Sequence, residues 1–303
     1  MGEILVITKQ PIKSKNSDVK SYADWLAKQP LSIHARRAYS ARVQVFLRFR
    51  QKQLDGDDEA ITQENRVRIA TAFKKHLKHT RKLKPSSLNA YLAAVDNFYG
   101  FLNLGPAKVT REDLPHEAPR ALSKQEQKKL LRAIERTRRA KDRAILTLLL
   151  YTGMRIGELS SLENDDVYIT GRKQRVIIRS GKGDKYREVP LNSKVCEALQ
   201  GWLDERQEKF TGRVKSKSFF LNAQGKKLLP GGIDLIVRKL GNDCGISLSA
   251  HILRHTLLTN LVRAKNDLIL VADIAGHKGL NTIRRYALPS AGDKAVALES
   301  LLE

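Results

Sequence analysis

Four short segments carry the side chains best suited to hold an anion, move a proton or act as a nucleophile. They are Thr152-Gly-Met-Arg-Ile-Gly-Glu-Leu159, Gly181-Lys-Gly-Asp-Lys-Tyr-Arg187, His251-Ile-Leu-Arg-His255, and Gly276-His277 followed nine residues later by Tyr286. Taken singly, each has an ordinary explanation. Arg155 and Glu158 are spaced i,i+3, as in a surface ion pair on a helix. Lys182 stands between two glycines, the usual setting of a solvated hairpin tip. His251 and Arg254 are also i,i+3, so they project from one helix face. His251 and His255 have the spacing of a zinc-binding HExxH helix, but Ile-Leu-Arg between them supplies no glutamate base and sets a guanidinium beside any cation. The Gly181–Lys185 run lacks the spacing of a phosphate-binding P-loop. Neither a metal nor a nucleotide cofactor is expected.

These side chains need elements to position them. Apolar residues at helical spacing predict helices over 32–53 (Tyr39, Val43, Phe46, Leu47 and Arg50 on one stripe), 62–80 (Val67, Ala70, Phe73, Leu77) and 85–102 (Leu88 to Leu102, opened by Pro85). Gly56 and the acids around it break the chain between the first two. A bundle of about four helices is expected over 1–108. Gly105, Pro106, Pro115 and Pro119 mark a linker within 104–120, with its core at 109–119. Beyond it, from residue 120 to 303, Ser123 with Glu126 forms a capping box for a helix to Thr137. Further helices are expected at 141–151, 192–206, 232–242, 249–263, 268–275 and 280–286. Strands are expected at 166–170, 175–179 and 186–191, the last two as a hairpin. The fold class is therefore mainly α: a helical bundle, then an α+β domain with one small antiparallel sheet.

Charge narrows the partner. The 303 residues carry 56 Lys and Arg against 32 Asp and Glu, a net charge of +24, and the excess is spread over both halves. A dispersed basic surface neutralises phosphates and releases counterions, which points to nucleic acid. Cys196 and Cys244 are far apart, without CxxC spacing, so neither a disulfide framework nor a thiolate metal site is expected. The apolar runs Ile4–Ile7 and Ala144–Leu150 are too short for a signal core or a membrane span, which leads to the expectation of a soluble cytoplasmic chain.

In order along one domain, residues 120–290, the four segments resemble the catalytic domain of the tyrosine recombinases, the phage-integrase family with its Xer-like members. The helical region before them resembles the family's core-binding domain. The resemblance implies a site-specific recombinase that breaks and rejoins DNA through a 3′-phosphotyrosyl intermediate and exchanges strands through a Holliday junction, for integration or resolution of DNA elements. Tyr286 is then the nucleophile, and Arg155 and Arg254 the two forks that clamp the phosphate. Lys182 matches the general acid for the 5′-oxygen, with Lys185 as its rival. His251 assists the tyrosine's proton transfer, His277 hydrogen-bonds the phosphate, and Glu158 supports the arginines. Surrounding guanidinium and imidazolium groups are expected to favour the phenolate. His255 reads as a structural hydrogen-bonder and Tyr151 as core.

Three positions depart from the family pattern: Ala275 where leucine is common, Gly157 where serine is frequent, and Asn266 where glycine is frequent, the last suited to a positive φ. The implied partners are double-stranded DNA with an inverted-repeat core site and further copies of the chain, as a tetramer on DNA. The apolar tail 293–303 is expected to pack on a neighbouring subunit. A DNA-relaxing topoisomerase sharing the tyrosine chemistry, and an inactive DNA-binding relative, remain as alternatives.

Overall fold

The computed structural model describes residues 16–53, 61–114, 118–179, 186–212, 215–276 and 280–288. The chain divides into two units, Met1–Pro115 and His116–Glu303.

The first unit packs α1 (Asn16–Lys28), α2 (Ile33–Gln53), α3 (Arg66–Lys75), which runs on into a π-helical turn at His76–Thr80, and α4 (Pro85–Phe101). Helix α1 was not foreseen. It places Tyr22 and Leu26, one turn apart, in the core, where the Tyr22 hydroxyl donates to Asn97 Oδ1 at 2.6 Å. Val67 departs from the expected stripe: it is 45% exposed, and Ile69 packs inward with Ala70, Phe73 and Leu77. The break expected around Gly56 lies outside the described residues. The stretch read as linker is partly fastened to this bundle. Ala107 is buried with its N–H on Asp96, Arg111 pairs with Asp96, and Glu112 binds Lys74 and Lys78 at 2.8 Å each.

The second unit begins with α5 (Lys124–Glu135), capped reciprocally by Ser123 and Glu126 as expected. Helix α6 (Ala140–Thr152) runs through its core, with Ala144 to Leu149 buried, and α7 (Ile156–Ser160) follows. The sheet is antiparallel in the order β1 (Val167–Tyr168), β2 (Arg175–Arg179), β3 (Tyr186–Pro190), with Val176 opposite Val189 and Ile178 opposite Arg187. The first strand is shorter than expected, because Asn164–Asp166 close a 3₁₀ turn. In it the Asp166 carboxylate accepts from the Glu163 N–H and from Arg179. Then come α8 (Ser193–Phe210), α9 (Pro230–Asp243), α10 (Ala250–Arg263), α11 (Leu268–Ala275) and α12 (Leu280–Arg284). The positive φ between α10 and α11 falls on Lys265, not on Asn266, whose side chain instead donates to the Leu261 carbonyl at 2.9 Å. Among the described residues no helix is long and apolar enough to cross a membrane.

Candidate active site

Helix α6 ends at Gly153, whose φ of 60° lies in the left-handed region that ends helices without strain for glycine. The chain reverses and α7 starts three residues later, so Arg155 sits at its N-cap. Glu158, in the first turn, accepts the Arg155 backbone N–H at 2.9 Å and its Nη1 at 2.8 Å. A second arginine meets the same carboxylate: Arg187 of β3 donates from Nη1 at 3.1 Å and from Nη2 at 2.8 Å, a fork-to-fork pair. Burial alone pushes the Glu158 carboxyl up. The hydrogen bonds from Arg187 and Arg155 outweigh it and hold the group at about 2, so Glu158 is ionised. The Arg155 side chain is 41% exposed and available to an incoming anion, whereas that of Arg187 is 10% exposed.

Arg254 lies on α10, whose N-terminus is capped by Ser249. Its guanidinium is buried and donates to the carbonyls of Gly153 and Ala275, at the ends of α6 and α11. Helix C-termini carry partial negative charge, which suits a buried cation. Burial, and then the like charge of Arg155 and Arg187, brings Arg254 down to about 10, still protonated at neutral pH.

Tyr286 follows the last turn of α12 and is only 5% exposed, packed with Leu258, Val271, Ala275 and Ile283. Its hydroxyl lies 2.8 Å from Nδ1 of His255. His255 is pushed down to about 4, by burial first and then by His251, Arg254 and Arg285, so its ring is neutral at physiological pH. Burial also raises the Tyr286 phenol, more than Arg254, Arg285 and Arg155 lower it. The expectation of a phenolate held by cations is corrected here: among the described residues burial outweighs the cations, the imidazole on the hydroxyl is neutral, and the group rests as a phenol.

The structure thus brings Arg155, Glu158, Arg254 and Tyr286 together. His251 is exposed one turn before His255, its ring 6.2 Å away and nearly parallel. Lys182, Lys185 and His277 lie outside the described residues. Two members of the cluster were not singled out from sequence, Arg187 and the partner role of His255. For Arg187 a signal existed: strand alternation puts it on the same face as the buried Val189, where a charge requires a partner. His255 gave none, because its contact with Tyr286 spans 31 residues. Among the described residues no three His, Cys, Asp or Glu side chains are grouped to hold a metal ion.

The sequence profile of the phage integrase family matches residues 120–291. A tyrosine recombinase of Pseudothermotoga lettingae is 30% identical over 295 residues, 94% of this chain and 98% of that protein. Tyrosine recombinase XerA of Thermococcus onnurineus is 27% identical over 294 residues, 94% of this chain and 96% of the relative. In fold, the chain is similar to the crystal structure of XerH site-specific recombinase in a post-cleavage complex with palindromic difH substrate. That likeness has a TM-score of 0.73 at 22% identity, over 98% of this chain and 91% of the other. With the profile covering the unit that holds the Arg155, Arg254 and Tyr286 cluster, and relatives matched over nearly their whole length, the chain belongs to the phage integrase family and is a tyrosine-type site-specific recombinase.

Proposed function

We propose that this recombinase binds double-stranded DNA and cuts it by attack of the Tyr286 oxygen on a backbone phosphorus. The P–O5′ bond breaks, leaving a 3′-phosphotyrosyl ester and a free 5′-hydroxyl. Attack by a 5′-hydroxyl of the partner strand reverses the step and rejoins the exchanged ends through a Holliday junction. One phosphate ester replaces another of similar energy, so the exchange needs no ATP.

The observation that carries this reading is the placement of the Tyr286 hydroxyl, 2.8 Å from a neutral imidazole and next to Arg254 and Arg155. Arg155 and Arg254 neutralise the phosphate and the charge that grows on it in the transition state. His251 takes part in moving the tyrosine's proton, while His255 holds the phenol oxygen at rest. Lys182 protonates the departing 5′-oxygen, and His277 binds the phosphate. Glu158 keeps the arginines aligned. Because Tyr286 is buried, its oxygen has to be uncovered as DNA seats.

Residues 1–108 serve as the core-binding domain, 109–119 as linker and 120–303 as the catalytic domain. The working assembly is a tetramer on inverted-repeat core DNA in the cytoplasm, with the tail 293–303, outside the described residues, packed on a neighbouring subunit. The +24 net charge supports the DNA partner. A nicked suicide substrate tests the chemistry. Wild type is expected to trap covalently on its own site and Tyr286→Phe to bind without trapping. Trapping on any DNA sequence would instead indicate a topoisomerase, and binding by wild type without trapping an inactive DNA-binding protein.

A further inference from the structure

Arg187 is a charged side chain on the core-facing side of a strand, and among the described residues its side-chain hydrogen bonds reach other segments. Two run to Glu158 on α7. The third, from Nε, goes to the carbonyl of Ile274 near the end of α11 at 3.2 Å. The guanidinium also lies against Gly276, the left-handed residue that ends α11: a Cβ built there would stand 2.7 Å from Arg187 Nη1 and 2.9 Å from Cζ. Arg187 therefore joins the turn that presents Arg155, its own strand β3, and the end of α11 at Gly276, the residue before His277 in sequence.

We infer that Arg187 is a positioning residue for strand cleavage: through Glu158 it orients the Arg155 guanidinium, and through Ile274 and Gly276 it sets the turn before His277. The inference rests on the reaction proposed above. Its physical basis is that Glu158 Oε1 is shared by Arg155 Nη1 and Arg187 Nη1. With Arg187 gone, Glu158 loses its fork partner and is held only from the Arg155 side, by that residue's backbone N–H and Nη1, so nothing from β3 fixes the direction of the Glu158–Arg155 pair. A buried ion pair is a poor source of stability but a good device for direction. Lysine cannot replace it, since an ammonium is a point charge and cannot engage two oxygens and a carbonyl in one plane.

The charged groups facing Glu158 among the described residues are Arg155 from its own helix, Arg187 from β3 and Arg254 from α10. Removing Arg187 takes away its hydrogen bonds and its charge and leaves burial opposed by Arg155 alone, so the Glu158 carboxyl moves up from about 2 and its hold on Arg155 weakens at a higher pH than in wild type.

The test is the single-turnover rate of covalent trapping on the nicked substrate, with DNA affinity measured in parallel. Wild type is compared with Arg187→Gln, Arg187→Lys, Glu158→Gln and the Glu158→Gln/Arg187→Gln double variant. Arg187→Gln is expected to slow trapping on the order of a hundredfold at wild-type DNA affinity. Arg187→Lys, which keeps the charge and guards against a folding failure, is expected to recover little of that loss. The double variant should be no slower than the slower single variant, as for two residues acting as one unit. Arg187→Gln should also acquire an acid limb in its pH–rate profile that the double variant lacks. Additive losses, full recovery with lysine, an unchanged pH profile or a rate equal to wild type would each overturn the inference. If wild type traps through Tyr286 while Arg187→Gln behaves like it, only the role of Arg187 falls. If wild type fails to trap, the proposed reaction falls with it.

Discussion

Tyr286 and His255 form a pair in which burial acts on both members in the same sense. It disfavours phenolate and imidazolium alike, so a neutral phenol rests against a neutral ring. In the proposed reaction the nucleophile is thereby stored unreactive, and a phosphate entering between Arg155 and Arg254 would be what changes its surroundings. The pair has a consequence for stability. Folded His255 titrates at about 4, below the roughly 6.5 of an unfolded histidine, so the unfolded chain binds the proton first as pH falls. Its contribution is present above about pH 6.5 and is lost as pH drops towards 4. The thermal midpoint of wild type should therefore fall across that window, and His255→Gln should flatten this part of the profile. An unaltered slope in the variant would assign the titration elsewhere. Glu158, also depressed, contributes only to the more acid end, between the usual carboxylate range and about 2.

At the level of elements, one device recurs. Helices α6 and α11 each end in a left-handed glycine, Gly153 and Gly276, and each offers a terminal carbonyl to Arg254. The two helix ends thus converge on one buried guanidinium. Glycine is required at position 276 for two reasons: its φ of 62° and the closeness of Arg187. Alanine there costs about 1–2 kcal/mol for the backbone and in addition has to displace a guanidinium held by Glu158 and Ile274. Gly276→Ala should lower the unfolding midpoint by several degrees and slow covalent trapping in the manner of Arg187→Gln. Gly157 provides the contrast. Among the described residues a Cβ built there meets nothing within 4 Å beyond its chain neighbours and its own helix backbone, and it is inside α7, so Gly157→Ala should be neutral or slightly stabilising. Thermal unfolding and trapping rates on the two variants check both.

On the scale of the whole molecule, each unit has its own core, one around Phe46, Phe73 and Phe98 and the other around Leu146, Leu149 and Trp202. Positive charge covers both. A chain that uses it to follow a DNA backbone through six to ten phosphates should lose on the order of 10³-fold or more in affinity between 50 and 200 mM salt. Tyr286→Phe should show the same slope, because it changes no charge. Binding titrations across that range measure it, and a flat response would count against a phosphate-tracking surface.

Much of this architecture was readable in the chain because it is local. Apolar spacing located α2 and α4, Ser123 with Glu126 marked the start of α5, and the glycine-rich stretch between two alternating segments marked β2 and β3. The same rules erred where local preference was overruled. Val67 fits a helical stripe yet faces out, since the bundle turns Ile69 inward, and Asn266 yields the left-handed position to Lys265. The inventory of reactive side chains and their order were set by the sequence alone, and so was the family they resemble. Only the tertiary structure decided that His255 meets Tyr286, that Arg187 shares Glu158 with Arg155, and that both Tyr286 and His255 rest uncharged. Those outcomes depend on burial and on contacts spanning about 30 residues of chain, and neither is encoded in any short window.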